Sequence, residues 1–255
     1  MTNEPIIEST LGHEDRCVWL AIPSYTGHVH VATMRSILTD CLGLIAKGWR
    51  FALIDESGNA LIAHCRALLL AQFLASDASD IVMIDSDVAW EPGALISLLE
   101  RKAEFVAGVY PHRVTPESYS VRWLPDPAQT GLTPRDPETM KPTLGGLLEV
   151  EAVPAGFLRL SRTAVEAMVD AYPELAFSTP AAPGGRAWAL FDSHKEENHG
   201  AYWGEDFSFC KRYRDIGGRV WMDPELMLHH VGYGTFSGRI GDWLRAGKWR
   251  TGVEQ

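Results

Sequence analysis

Two carboxylates one residue apart close an apolar run in Ile81-Val82-Met83-Ile84-Asp85-Ser86-Asp87. In an extended segment, side chains at i and i+2 point the same way. Asp85 and Asp87 would then present hard oxygen ligands together at the mouth of a buried strand, which suits a divalent cation carrying phosphate oxygens. The same tripeptide also makes a solvated strand-end turn, because Asp and Ser favour turns. Further on, Gly204-Glu205-Asp206 opens a helical stretch, and His229-His230-Val231-Gly232 follows Asp223-Pro224. Carboxylates at a helix start are stabilised by the helix dipole. One of them could equally act as a general base toward a bound hydroxyl. An imidazole beside carboxylates suits Mn²⁺ better than Mg²⁺. On an extended segment His229 and His230 face opposite sides, so only one of them should reach such an ion.

The elements that must position these groups alternate through the first half. Cys17 to Ile22 reads as a buried strand closed by Pro23-Ser24. A helix follows from about His30 to Lys47, with Val31, Met34, Ile37, Leu38, Cys41 and Leu42 on one stripe. Trp49 to Ile54 is a second strand, and Ser57-Gly58-Asn59 breaks the chain before an Ala- and Leu-rich helix, about Ala60 to Ala75. Ile81 to Ile84 is the third strand. Pro92 starts a helix to about Arg101, and Phe105 to Tyr110 is the fourth strand. This alternation predicts an α/β chain with a mostly parallel sheet and helices on both faces. Ligands of such sheets bind at the carboxyl ends of the strands, where Pro23-Ser24-Tyr25, Asp85-Ser86-Asp87 and Tyr110-Pro111-His112-Arg113 fall.

The second half is less regular. Residues 111–146 hold many of the prolines together with Arg113, Arg122 and Arg135. Leu147 to Val153 reads as a strand, Ser161 to Tyr172 as a helix capped by Ser161, Glu205 to Ile216 as a helix and Arg219 to Met222 as a strand. A single domain is expected, divided into a polar leader (1–16), a nucleotide-binding half (17–110), an acceptor and catalytic half (111–238) and a basic, aromatic tail (239–255). The tail carries Arg239, Trp243, Arg245, Lys248, Trp249 and Arg250. It is expected to pack over the acceptor cleft rather than to contact a membrane or nucleic acid.

The composition of the 255-residue chain, 46% hydrophobic and 22% charged, is that of a globular protein. A net charge of −10 disfavours general attraction to nucleic acid or anionic membranes. No apolar stretch approaches a membrane span, the leader lacks a signal-peptide core, and Cys17, Cys41, Cys65 and Cys210 are scattered without metal spacing. A cytoplasmic protein with reduced, buried thiols is the expectation. No G-x-x-x-x-G-K segment is present, so a P-loop NTPase is unsupported. Trp90 and Trp203 flank the candidate acids and could stack on a sugar or belong to the core. His194, His199, Glu196 and Glu197 form a polar cluster that reads as a solvated loop, with a second metal site as the alternative.

Asp85-Ser86-Asp87 resembles the DXD motif of GT-A glycosyltransferases. Gly204-Glu205-Asp206 is similar to the "ED" element of their family-2-like branch, and His230-Val231-Gly232 to the late metal-binding histidine of several members. The order fits over about Val18 to Gly234. The resemblance implies a GT-A fold and transfer of a sugar from a nucleotide-diphosphate donor, such as a UDP- or GDP-sugar, to an acceptor hydroxyl. It implies Mn²⁺ or Mg²⁺ on Asp85, Asp87 and His230. His230 is preferred over His229 because the family's ligand precedes a hydrophobic residue and Gly. In inverting members the Asp of the second element is the base, a role carried to Asp206. In a retaining enzyme Asp206 or Glu205 would position the donor sugar instead.

The donor-binding candidates are Pro23, Ser24, Tyr25, Asn59, Arg66, Asp85, Ser86 and Gly156. Tyr25 could stack on the base or be an ordinary strand-end aromatic. Asn59 and Arg66, seven residues apart, would share a helix face. Arg66 would lie near the base or diphosphate, or form a salt bridge to one of the aspartates. Gly156 would let the donor sugar approach the backbone, or serve a tight turn. The acceptor is open among a saccharide, a lipid-linked glycan, a protein and a hydroxymethylated DNA base of the phage type. A nucleotidyltransferase and a non-catalytic nucleotide-sugar or carbohydrate-binding module are the rival functions.

Overall fold

The computed structural model describes residues 16–124, 144–196 and 200–248. Strand β1 (Cys17–Ser24) is apolar on both faces. Val18, Leu20 and Ile22 enter one core layer, and Cys17 and Ala21 enter the other. That pattern belongs to a strand covered on both sides. Helix α1 (Val31–Ala46), β2 (Arg50–Ser57), α2 (Ile62–Leu74) and β3 (Asp80–Ile84) follow, then β4 (Val88–Trp90), α3 (Ala94–Glu100) and β5 (Phe105–Gly108). The second half adds β6 (Leu148–Val150), β7 (Phe157–Ser161), α4 (Arg162–Ala171), β8 (Ala176–Ser178), β9 (Arg186–Trp188), β10 (His194–Lys195) and β11 (Tyr202–Trp203). It ends with α5 (Glu205–Asp215), β12 (Val220–Asp223), β13 (Leu228–Val231), β14 (Thr235–Gly238) and α6 (Ile240–Arg245).

The main sheet has seven strands in the order β2-β1-β3-β7-β5-β12-β6. Strands β1, β2, β3, β5 and β12 run one way, and β7 and β6 run the other. It is the expected mostly parallel sheet with helices on both faces. Leu69 and Phe73 of α2, Met168 of α4 and Phe209 of α5 pack on one side, and Ile37 and Leu44 of α1 with Leu95 and Leu98 of α3 on the other.

Several features depart from the sequence expectations, three of them in the helices and strands around the main sheet. Strand β7 was not anticipated, although it lies between β3 and β5. It is short, and its centre is Arg159, a residue that argues against a buried strand. Arg159 is 7% exposed and tolerated because its Nε donates to Asp80 Oδ1 at 2.6 Å. The stripe expected on α1 is split: Ile37 and Cys41 face inward, while Val31, Leu38 and Leu42 are 70%, 60% and 69% exposed. Polar residues take the inner face instead. Buried Asp40 accepts from Trp90 Nε1 and from the backbone N–H groups of Gly93 and Leu95, and Ser36 bonds the Trp90 backbone. These bonds satisfy the buried polar groups and fix the helix's rotation. Asn59 precedes α2 and makes a local turn, its Oδ1 accepting from Leu61 N at 3.0 Å, so it does not share a helix face with Arg66.

Strands β14, β13 and β4 form a second small sheet. Because β13 pairs antiparallel with β4, His230 lies opposite Val88, one residue past Asp87. In the described part of the tail, Trp243 Nε1 donates to Glu117 O at 3.0 Å, and its ring meets Tyr119 edge-on. Trp249, Arg250, Arg135, His199, Glu197 and the leader up to residue 15 lie outside the described residues. The four cysteines are buried free thiols.

Candidate functional site at the carboxyl edge of the sheet

Asp85-Ser86-Asp87 is not extended. Val88 N donates to Asp85 O at 3.1 Å, which makes a tight turn between β3 and β4. The two carboxylates therefore diverge. Asp85 turns toward α2 and β5, accepting from Arg66 Nη2 at 3.1 Å and from Tyr110 Oη at 2.9 Å. Asp87 turns toward β13, where its Oδ1 lies 3.8 Å from His230 Nε2 and its Oδ2 accepts from Arg113. The turn is tied down on both sides: Ser86 O accepts from His30 N, Asp87 O from Val231 N, and Gly156 O from Asp85 N.

Arg66 is 3% exposed and bridges the two halves of the chain. Its Nη1 donates to Glu205 Oε1 at 3.2 Å, at the first turn of α5. Burial alone would pull the guanidinium's pKa down; Asp85, Asp206 and Glu205 around it outweigh that and hold it raised. Asp206 is left with a backbone bond from Phe207 N at 2.9 Å. Burial first, and the neighbouring Glu205 carboxylate second, push the Asp206 pKa up to about 6. A carboxyl poised there is suited to accept a proton near neutrality. Tyr110 is held well above the ordinary phenol value by burial and by the Asp85 carboxylate, so it acts as a neutral donor.

The residues expected to hold a cation do not converge as a set of three. Among the described residues no group of three or more His, Cys, Asp or Glu side chains is arranged to hold a metal ion. Asp85 is committed to Arg66 and Tyr110, whereas Asp87 and His230 face one another. His230 Nδ1 lies 3.0 Å from Pro111 O. A carbonyl only accepts, so Nδ1 carries the proton and Nε2 presents a lone pair toward Asp87. Burial, and then the Arg113 charge, lower the His230 pKa and favour the neutral ring. The 3.8 Å gap is too long for a hydrogen bond. Two ligands each about 2.1 Å from one ion lie roughly 3–4 Å apart, so this pair fits a divalent cation. His229 points the other way, to Glu91 at 3.2 Å and Ser237 at 2.8 Å.

The remaining candidates are more dispersed. Ser24 is buried and donates to His28 O at 2.9 Å, and Pro23 is buried in β1. Tyr25 stands 65% exposed beyond the strand end. Asn59 Nδ2 contacts His64 Nδ1 at 2.5 Å. A Cβ on Gly156 would collide with Asp85 Oδ2 and Tyr110 Oη, so this glycine makes room for the Asp85–Tyr110 bond. Trp90 and Trp203 are not platforms: they are 3% and 4% exposed, donating to Asp40 and Glu196.

Tyr110, the Pro111 carbonyl and Arg113 had no assigned role in the sequence reading. Their place just after β5, at the productive edge, was the signal available. The Tyr110 ring also meets that of His230 edge-on, 4.9 Å between centroids.

Several solved structures resemble the chain. Over 85% of this chain and 86% of the other, A197 from STIV superposes with a TM-score of 0.46 at 16% identity. The catalytic domain of Drosophila β1,4-galactosyltransferase 7, in complex with xylobiose, gives 0.40 at 14% identity over 88% and 71%. GalNAc-T7 with UDP, GalNAc and Mn²⁺ gives 0.44 at 10% identity over 86% and 45%. No protein-family model matches the sequence and no curated protein does, so the residues themselves carry the functional reading.

Proposed function

We propose that this chain transfers a sugar from a nucleoside-diphosphate donor to an acceptor hydroxyl, with a divalent cation held by Asp87 and His230. The observation that carries the reading is a convergence at one sheet edge. On one side of the Ser86 turn stand a carboxylate and an imidazole whose tautomer is fixed for ligation, and on the other, among Arg66, Asp85 and Glu205, stands Asp206 with its pKa raised to about 6. A cation held by Asp87 and His230 would supply positive charge to a departing diphosphate. Asp206 takes the proton of the acceptor hydroxyl as its oxygen bonds the anomeric carbon and the sugar–phosphate bond breaks. Arg66 keeps Asp85 and Glu205 in place, and Glu205 remains the neighbour that raises the base. Tyr25 and Asn59, beyond the ends of β1 and β2, are assigned to the nucleoside, with Ser24, Ser86 and Gly156 shaping the backbone beneath it.

The test is nucleoside-diphosphate release from UDP- and GDP-sugars with Mn²⁺, Mg²⁺ or a chelator. Release that needs the cation and disappears in Asp87→Ala supports the proposal. Release indifferent to both overturns it. Cation-dependent thermal stabilisation by the donor without any release leaves a binding module. Saccharide, lipid-linked glycan, protein and hydroxymethylated duplex DNA, offered separately, identify the acceptor by the one that accelerates release.

A further inference from the structure

Arg113 has no part in the transfer just described, yet it touches the centre of the site. It stands on the loop after β5, and its Nη2 donates to Asp87 Oδ2. Arg113 and Asp87 are 39% and 37% exposed. The guanidinium passes over Gly232, where an added Cβ would come within 3.3 Å of Nε and 3.4 Å of Cζ. One carboxylate thus has two faces, Oδ1 toward the free nitrogen of His230 and Oδ2 toward Arg113.

We infer that Arg113 is an exchangeable counter-ion: it yields Asp87 to a divalent cation and turns to the diphosphate that the cation brings. The inference rests on the reading that Asp87 and His230 hold that cation. An exposed ion pair is weakened by competing water and salt, so exchange costs little. A guanidinium stays charged at any working pH and repels a second cation placed on the same carboxylate. Its planar fork suits phosphate oxygens, the nearest new negative charge once the donor arrives. Arg66 has no such freedom, being 3% exposed between Asp85 and Glu205.

Binding measurements separate the two steps. Mn²⁺ alone is titrated into wild type, Arg113→Ala, Arg113→Gln and Asp87→Ala, with free ion read by electron paramagnetic resonance. Pyrophosphate is then titrated in saturating Mn²⁺ by calorimetry. Both Arg113 variants should bind Mn²⁺ roughly 5-fold more tightly, because a competing cation has gone. They should bind pyrophosphate about 10-fold or more weakly, because a charge-assisted hydrogen bond has gone. Mn²⁺ affinity that is unchanged or weaker in both variants overturns the exchange. Tighter Mn²⁺ with unchanged pyrophosphate overturns the turn to the diphosphate. If Asp87→Ala binds Mn²⁺ like wild type, the cation site itself is misplaced and the proposed function falls with the inference.

Discussion

Asp85 and Asp87 are two residues apart, and each meets an arginine, but the settings are opposite. Arg66 reaches Asp85 from inside helix α2 at 3% exposure and also holds Glu205, so it joins the two halves of the chain. Arg113 reaches Asp87 from a loop at 39% exposure and has Gly232 beneath it. A buried arginine cannot leave its carboxylate partners without stranding its own charge in low dielectric, whereas an exposed pair opens at little cost. The turn that separates the carboxylates therefore divides the site into a fixed side, which carries Asp206, the proposed base, and an adaptable side, which faces the proposed cation position.

The strongest test of this division is at the base. Asp206→Asn should lower turnover by about 10²–10⁴-fold with donor affinity nearly unchanged. Because the ionised carboxylate is the active form and its pKa is raised to about 6, wild-type kcat/KM should climb with pH up to about 6 and level off above it. That limb should be missing from the residual activity of Asp206→Asn. Collapse of donor affinity instead would make Asp206 a sugar-positioning residue.

Next in size is Arg66→Met, which leaves Asp85 and Glu205 without their cation. It should destabilise the fold by about 3–5 kcal/mol in urea unfolding. A loss under about 1 kcal/mol would mean the fixed side is not fixed. Gly156→Ala, which drives a methyl into Asp85 and Tyr110, should cost about 1–3 kcal/mol by the same measurement. A neutral result would show that the Asp85–Tyr110 bond can move aside. The smallest effect belongs to Arg113→Ala, whose unfolding free energy should stay within about 1 kcal/mol of wild type. A loss comparable to that of Arg66→Met would erase the contrast between the two pairs.

Much of the layout was legible in the residues. The alternation of apolar runs with helical periodicity placed β1, α1, β2, α2, β3 and β5. Ser161 capped α4 as expected, its Oγ accepting from Ala164 N at 3.1 Å. The strand-end rule directed attention to the edge where Asp85, Asp87, Tyr110 and Arg113 lie. Strand β7 escaped because its central arginine is neutralised by Asp80, 79 residues away in sequence, and no local pattern reports such a partner. The inner face of α1 was misjudged for the same reason, since Asp40 is buried by bonds to Trp90, Gly93 and Leu95.

By itself the sequence determined which groups are available and at which strand ends they emerge, because burial periodicity and turn chemistry act over a few residues. Only the tertiary structure decided which carboxylate meets which cation. The turn at Ser86 points Asp85 and Asp87 apart. The pairing of β13 with β4 brings His230 to Asp87 across more than a hundred residues, and Pro111 O selects its tautomer. Those outcomes depend on packing and hydrogen bonds between distant segments, and a local sequence window contains neither partner's position.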